Sequence, residues 1–150
     1  MLTKRPQLIH KLIPQEWLLN SPPNVWMGIT AEDPHWLAIR WPFLREIRAD
    51  VHWLSVEPLF ERIVLPDDFL SLGKRAWVVC GGQSGDGAVA MNIEWVRYLR
   101  DQCIEAGVPF YFKQWGYYNS ELVHIYAKVP EQRLLDGREW SEHPVPGVDK

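Results

Sequence analysis

Five short apolar stretches of the chain each run into residues that can bind ligands or carry charge. Leu2 is followed by Thr3-Lys4-Arg5, and Ile29 by Thr30-Ala31-Glu32-Asp33. Leu54 is followed by Ser55-Val56-Glu57-Pro58, Cys80 by Gly81-Gly82-Gln83-Ser84-Gly85-Asp86-Gly87, and Phe112 by Lys113-Gln114-Trp115-Gly116. Glu32 and Glu57 are candidate ligand-binding or acid–base carboxylates, against the plain alternative of solvated surface Glu. Lys113, between Phe112 and Trp115, suits an anion or the face of a base. Its plain alternative is a lysine that snorkels to solvent. Four glycines between Gly81 and Gly87 would let backbone N–H groups approach an anionic or polar ligand. The loop is neither a Walker A nor a G-x-G-x-x-G sequence, and a simple turn would also use glycine.

These polar groups need elements to converge on one place. The runs Val25–Ile29, Val51–Val56, Ala76–Cys80 and Val108–Phe112 are short, β-branched or aromatic, and barely alternating. That is how strands covered on both faces read. Asn92 caps a helix from Ile93 to Ala106, with Val96, Leu99 and Cys103 on one face and Gly107 as its stop. Asp33-Pro34 opens another, in which Trp36, Ile39, Phe43 and Ile47 recur at helical spacing and Pro42 should break or restart the helix. A first helix is expected near Pro6 to Ile13, with Leu2 and Thr3 ending a strand before it. Alternating strands and helices predict an α/β fold with a parallel sheet and right-handed crossovers. Both an open doubly wound sheet and a (β/α) barrel satisfy this pattern. In either, ligands sit at the carboxyl ends of the strands, where the five polar segments fall. The chain reads as a single domain over residues 1–150. Residues 117–150, rich in Pro, Gly and charge, form an irregular extension packed on the outside.

Composition narrows the chemistry. The 150 residues are 47 % hydrophobic and 23 % charged, enough for a real core and close to the globular norm. A net charge of −3 does not suggest a non-specific nucleic-acid binder, although a local basic patch remains compatible with it. No apolar run approaches the roughly 20 residues of a membrane span, and the N-terminus lacks a secretory apolar core. A cytoplasmic location is expected. Cys80 and Cys103 lie in apolar contexts far apart, so neither a disulfide framework nor a metal motif is expected. The five histidines lack ligand spacing, and no metal site is predicted. Nine tryptophans are unusual; most are expected in the core, and the surplus could stack on an adenine or a nucleic-acid base.

Six segments carry a resemblance when read in order. They are Leu2–Pro6, Asn24–Glu32, Leu54–Leu59, Trp77–Gly85, Gly107–Gly116 and Leu134–Trp140. Together they resemble the phage-associated family labelled "gene product thirty-seven / sixty-eight", also described as a domain of unknown function (five-one-three-one). The resemblance covers nearly the whole chain. It implies a radical S-adenosylmethionine (SAM) type of protein: a partial (β/α) TIM-type barrel, with a three-cysteine motif that would hold an iron–sulfur cluster. It also implies a phage or prophage origin, in the bacterial host cytoplasm.

By that resemblance the strand ends would line a SAM pocket. Thr30 and Glu32 would reach the ribose, and Ser55 and Glu57 would add the next strand's polar pair. Gly81, Gly82, Gln83, Ser84 and Gly85 would lie near the adenine or the methionine end. Lys113 and Gln114 would close the far side. No catalytic residue is assigned. Two departures follow. The cluster cysteines are expected upstream of Met1, since Cys80 and Cys103 cannot replace three closely spaced thiolates. Gln83 stands where relatives carry Glu, which keeps the acceptor oxygen but loses the charge that would pair with an amino group.

The chain is therefore expected to be the C-terminal, SAM-binding part of a radical-SAM-like protein, without cluster chemistry of its own. Two other readings stay open: a non-catalytic interaction module, and one half of a split enzyme. A sheet that starts at Leu2 has an open edge. A second chain, a second copy or the Tyr117–Lys150 tail is expected to cover it.

Overall fold

The computed structural model describes residues 1–118, 121–124 and 130–145. Five parallel strands form one sheet: β1 (Leu2–Thr3), β2 (Met27–Thr30), β3 (His52–Val56), β4 (Ala76–Gly81) and β5 (Phe110–Gln114). Their order in the sheet is their order in the chain, with every neighbouring pair parallel. The order never reverses, so the sheet has no topological switch point of the doubly wound kind. It is open, with β1 and β5 at its edges. The architecture is mixed α/β.

Between the strands lie α1 (Ile9–Leu12), α2 (Gln15–Leu19), α3 (Pro34–Leu44), α4 (Asp67–Leu70) and α5 (Ile93–Ala106). The longest, α5, follows its local signals. Asn92 accepts the Glu94 N–H at 2.8 Å, Gly107 ends the helix at φ 66°, and Val96, Leu99 and Cys103 are the buried face. The first helical segment starts as a 3-10 turn at Pro6–Leu8 before α1. None of the helices is long and apolar enough to cross a membrane, among the described residues.

The α3 helix corrects two expectations. It runs through Pro42 and stops two residues later. A proline in the last turn forfeits only one hydrogen bond where the helix is ending anyway. Its buried side chains are Leu37, Arg40, Trp41 and Leu44, while Trp36, Ile39 and Phe43 are exposed. Three of the four residues of the periodic apolar row thus face outward, while the fourth, Ile47, lies beyond the end of the helix and is buried in the core. A helix that is apolar nearly all round offers two stripes, and spacing does not say which one the sheet will cover.

The pleat separates two sheet faces. Ile29, Leu54, Val78 and Phe110 lie in one row, and Val56, Cys80 and Phe112 continue it into the core, all fully buried. The other face carries Gly28, Trp53 and Trp77 in one row and Thr30, Ser55, Val79 and Tyr111 in the next. Trp77 is the hub of an aromatic cluster there. Ring centroids of Trp53, Trp26, Tyr111 and His143 lie 5.2 to 6.2 Å from it. Trp53 lies across Gly28 so closely that a Cβ there would sit 2.4 Å from the indole.

The tail also differs from expectation. A hairpin of β6 (Leu134–Leu135) and β7 (Arg138–Glu139) buries Leu135 and Trp140 in the core. The next residues pair with β5: Phe112 donates to the Trp140 carbonyl at 2.8 Å, and Glu142 to the Phe110 carbonyl at 3.2 Å. The described tail therefore covers the β5 edge and not the β1 edge. Residues 119–120, 125–129 and 146–150 of the predicted extension fall outside the described residues.

Candidate functional site

The carboxyl ends of the strands form a polar shelf with two ion-paired centres. The first is built around β2 and the residues after it. Arg40, from α3, donates through Nη1 to the Thr30 carbonyl and Thr30 Oγ1, both at 2.8 Å, and to Glu32 Oε2 at 2.5 Å. Lys4, just beyond β1, donates to Glu32 Oε1 at 2.5 Å. The Glu32 and Arg40 side chains are only 8 % and 6 % exposed, whereas Lys4 is 63 % exposed. The Arg40 guanidinium also stacks 4.2 Å over the Trp36 ring. Burial alone would raise the Glu32 carboxyl. Hydrogen bonds from Lys4, from its own backbone and from Arg40, with the charge of Arg40, outweigh burial and hold it below its ordinary range.

The second centre spans β3, β4 and β5. Glu57 Oε2 lies 2.7 Å from Lys113 Nζ, and Ser55 Oγ donates to Glu57 Oε1 at 3.3 Å. Glu57 keeps 19 % and Lys113 55 % of its side chain exposed. A Cβ on Gly81 would stand 3.2 Å from Glu57 Oε2, so the bare backbone of β4 leaves room for the carboxylate. The Ala31 N–H donates to the Ser55 carbonyl at 2.9 Å, tying the two centres together.

The glycine loop is more engaged than a free cradle. The Gly82 N–H donates to the Gln114 carbonyl at 2.9 Å, and Gln114 Nε2 returns a bond to the Gly82 carbonyl at 3.0 Å. Gln83 turns its amide oxygen to the Val89 N–H, at 3.0 Å. Ser84 is exposed, and Gly85, at φ 106°, has open space around it. Of the predicted site residues, Thr30, Glu32, Ser55, Glu57, Gly81 and Lys113 are thus gathered into the two paired centres. Gly82 and Gln114 clasp each other beside them, and Gln83, Ser84 and Gly85 follow the loop away.

Sequence reasoning missed Arg40 as a site residue. Its signal was available: it is the only Lys, Arg, Asp or Glu between Pro34 and Leu44. An isolated charge in an apolar helix is buried only when paired. Two clefts, of about 390 and 400 Å³, open near the amino ends of the strands and hold none of the predicted site residues.

The cysteines do not suit a cluster. Cys80 and Cys103 are fully buried on the core side, and burial pushes both thiols up, away from the thiolate a metal requires. No three His, Cys, Asp or Glu side chains gather as a metal site among the described residues.

One pH effect follows from the buried ionisable groups. His52 is buried with Nε2 2.7 Å from the Ile47 carbonyl. Burial foremost, with the charge of Arg75, lowers its pKa from the ordinary 6.5. The unfolded chain takes up that proton as pH falls below about 6.5, while the folded ring resists it. Stability therefore declines on acidification, by up to about 1.4 kcal/mol per pH unit per group. Glu32 adds a second decline below its ordinary 4.5. Melting temperatures between pH 4 and 8 test this, and His52→Gln should remove the upper limb alone.

No curated protein and no solved structure matches the chain. A family match spans the sheet, the shelf and the hairpin after it. Residues 1–144 fit the family described as Protein of unknown function (DUF5131), and the chain belongs to that family.

Proposed function

We propose that the shelf binds S-adenosylmethionine, and that the chain is the SAM-binding part of a radical-SAM-like, phage- or prophage-encoded protein acting in the bacterial cytoplasm. In this reading the open parallel sheet is part of a (β/α) barrel, and the Thr30–Tyr111 face looks into its interior. The observation that carries the proposal is the half-exposed Glu57–Lys113 pair beside the bare backbone of Gly81. SAM presents an ammonium and a carboxylate on one carbon. A protein carboxylate and ammonium held 2.7 Å apart can exchange each other for those two groups without leaving a charge unpaired. Thr30 and Glu32, locked by Arg40, would face the ribose hydroxyls. When bound, SAM supplies a sulfonium with transferable methyl, deoxyadenosyl and aminocarboxypropyl groups. The described residues do not fit an iron–sulfur cluster, so the proposal stops at binding and orientation.

Calorimetric titration with SAM tests the reading. Saturable binding is expected, weakened at least tenfold by Glu57→Gln or Lys113→Ala, since a charge-assisted hydrogen bond is worth about 1.5–3 kcal/mol. No heat of binding up to about 1 mM SAM, the affinity of a very weak site, would reject it. A split enzyme, in which a separate chain brings the thiolates, would bind SAM in the same way and acquire iron only on mixing.

A further inference from the structure

We propose that the arginine-lined cleft at the amino ends of the strands binds a small amino acid whose side chain ends in an anion. The cleft encloses about 390 Å³, within the range of small-ligand sites. Three connections build it: the turn after α2, residues 45–50 after α3, and Arg75 just ahead of β4. His52, the first residue of β3, stands in its wall. The cleft therefore lies at the end of the sheet opposite the shelf.

Its charges are only partly spent on one another. Three arginines and two carboxylates line it. Arg45 is engaged, with Nη1 3.1 Å from Asp68 Oδ2 and Nε 3.4 Å from Glu46 Oε1. Arg48 gives one guanidinium donor to the Leu19 carbonyl at 3.1 Å and meets no carboxylate among the described residues. The Arg75 and Asp50 side chains have no hydrogen-bonded or ion-paired partner among the described residues. Two guanidiniums and a carboxylate thus share one cleft without pairing. The Ser21 hydroxyl, in the same lining, is buried with no partner. No bond holds its rotamer, so a turn about χ1 can bring it to a ligand.

The lining selects the ligand's charges. Two unpaired guanidiniums and one unpaired carboxylate complement a molecule with two anionic groups and one ammonium. An α-amino acid with an anionic side chain carries that set. Arg48 and Arg75 would take the anions through charge-assisted hydrogen bonds, and Asp50 the ammonium. The helix α3 ends at Leu44, beside the cleft, and its carbonyl end adds negative partial charge. With Asp50, that disfavours a bare polyanion such as inorganic phosphate and favours a ligand that brings its own ammonium. Burial foremost, with the charge of Arg75, keeps His52 neutral, so this wall adds no further cation. The inference is independent of what the strand-end shelf binds.

Calorimetric titration of the whole chain with L-glutamate and with O-phospho-L-serine tests it. The tighter of the two shows whether the side-chain anion is a carboxylate or a phosphate. Saturable binding is expected with a Kd at or below about 1 mM. Arg75→Gln and Asp50→Asn should each weaken it about tenfold or more. Glutarate, which lacks the ammonium, should bind the wild type about tenfold more weakly than L-glutamate does. That preference should vanish in Asp50→Asn, which a mere loss of fold would not produce. Melting curves of both variants should match the wild type, since neither side chain holds a bond among the described residues. No saturation by either amino acid up to about 10 mM overturns the proposal. So does unchanged binding in Arg75→Gln, or glutarate binding the wild type as tightly as L-glutamate. Loss of binding in Lys113→Ala with binding intact in Arg75→Gln would put the amino acid on the shelf and overturn the cleft.

Discussion

Gly82→Ala is expected to lower stability by about 3 kcal/mol or more. Over-packing ordinarily costs about 1–3 kcal/mol because side chains can shift. At Gly82 they cannot help. An added Cβ would stand 1.9 Å from the Trp115 carbonyl oxygen and 2.5 Å from its carbon. Those are backbone atoms at the end of β5. Relief requires the two segments to separate, which breaks the Gly82 N–H to Gln114 carbonyl bond and its Gln114 Nε2 counterpart. Each such bond is worth about 1 kcal/mol net. The opposite wall is as tight: a Cβ on Gly116 would stand 2.1 Å from the Gln83 oxygen. Against a total stability of about 5–15 kcal/mol for a domain, this is a large fraction. Gly85→Ala is the internal control. It has a positive φ of 106° and nothing within 4 Å, so only backbone strain of about 1–2 kcal/mol should appear. Urea unfolding midpoints compare the two. Equal losses at both positions would refute the backbone clasp. The clasp matters for the site because it fixes the end of β5, from which Lys113 and Gln114 project.

Arg40→Met should cost about 3–5 kcal/mol, the usual result of stranding one member of a buried ion pair. Glu32 would keep Lys4, but Lys4 is largely exposed and such a partner contributes about 1 kcal/mol at most. The Thr30 carbonyl and hydroxyl would lose their donor as well. The double variant Arg40→Met with Glu32→Gln should recover part of the loss, since no uncompensated charge remains. The pH dependence gives a sharper sign. In the wild type the Glu32 carboxyl is held below its ordinary value, so its contribution is complete above about 4.5 and lost as pH falls. Arg40→Met removes the part of that depression due to Arg40 and leaves the bonds from Lys4 and the backbone. The gap between variant and wild type should therefore be widest near neutrality and narrow in acid. A gap that stays constant from pH 7 to pH 3 would place the cost of Arg40 in its packing over Trp36 instead.

Signals that act within a few residues were legible in the sequence. Asn92 and Gly107 delimit α5 because a cap and a left-handed stop are local devices, and Val96, Leu99 and Cys103 are its only buried stripe. The apolar runs mark β2 to β5 to within about two residues at each end, because a strand packed on both sides must be apolar along its length. Strand ends also place Thr30, Glu32, Ser55, Glu57 and Lys113 at one edge of the sheet, since parallel strands deliver their exits to the same side. Partner choice was not legible. Arg40 meets Glu32, and Lys113 crosses from β5 to Glu57, only because sheet order and register bring them together. The glycines after β4 carry conformational freedom in any sequence, yet the close approach of Trp115 and Gly116 turns that freedom into a steric requirement. The same holds for α3. Its sequence is apolar on two sides, so periodicity predicts a helix but not its orientation. The sheet settled that by taking the stripe that carries Arg40 to Glu32, which leaves Trp36, Ile39 and Phe43 facing solvent.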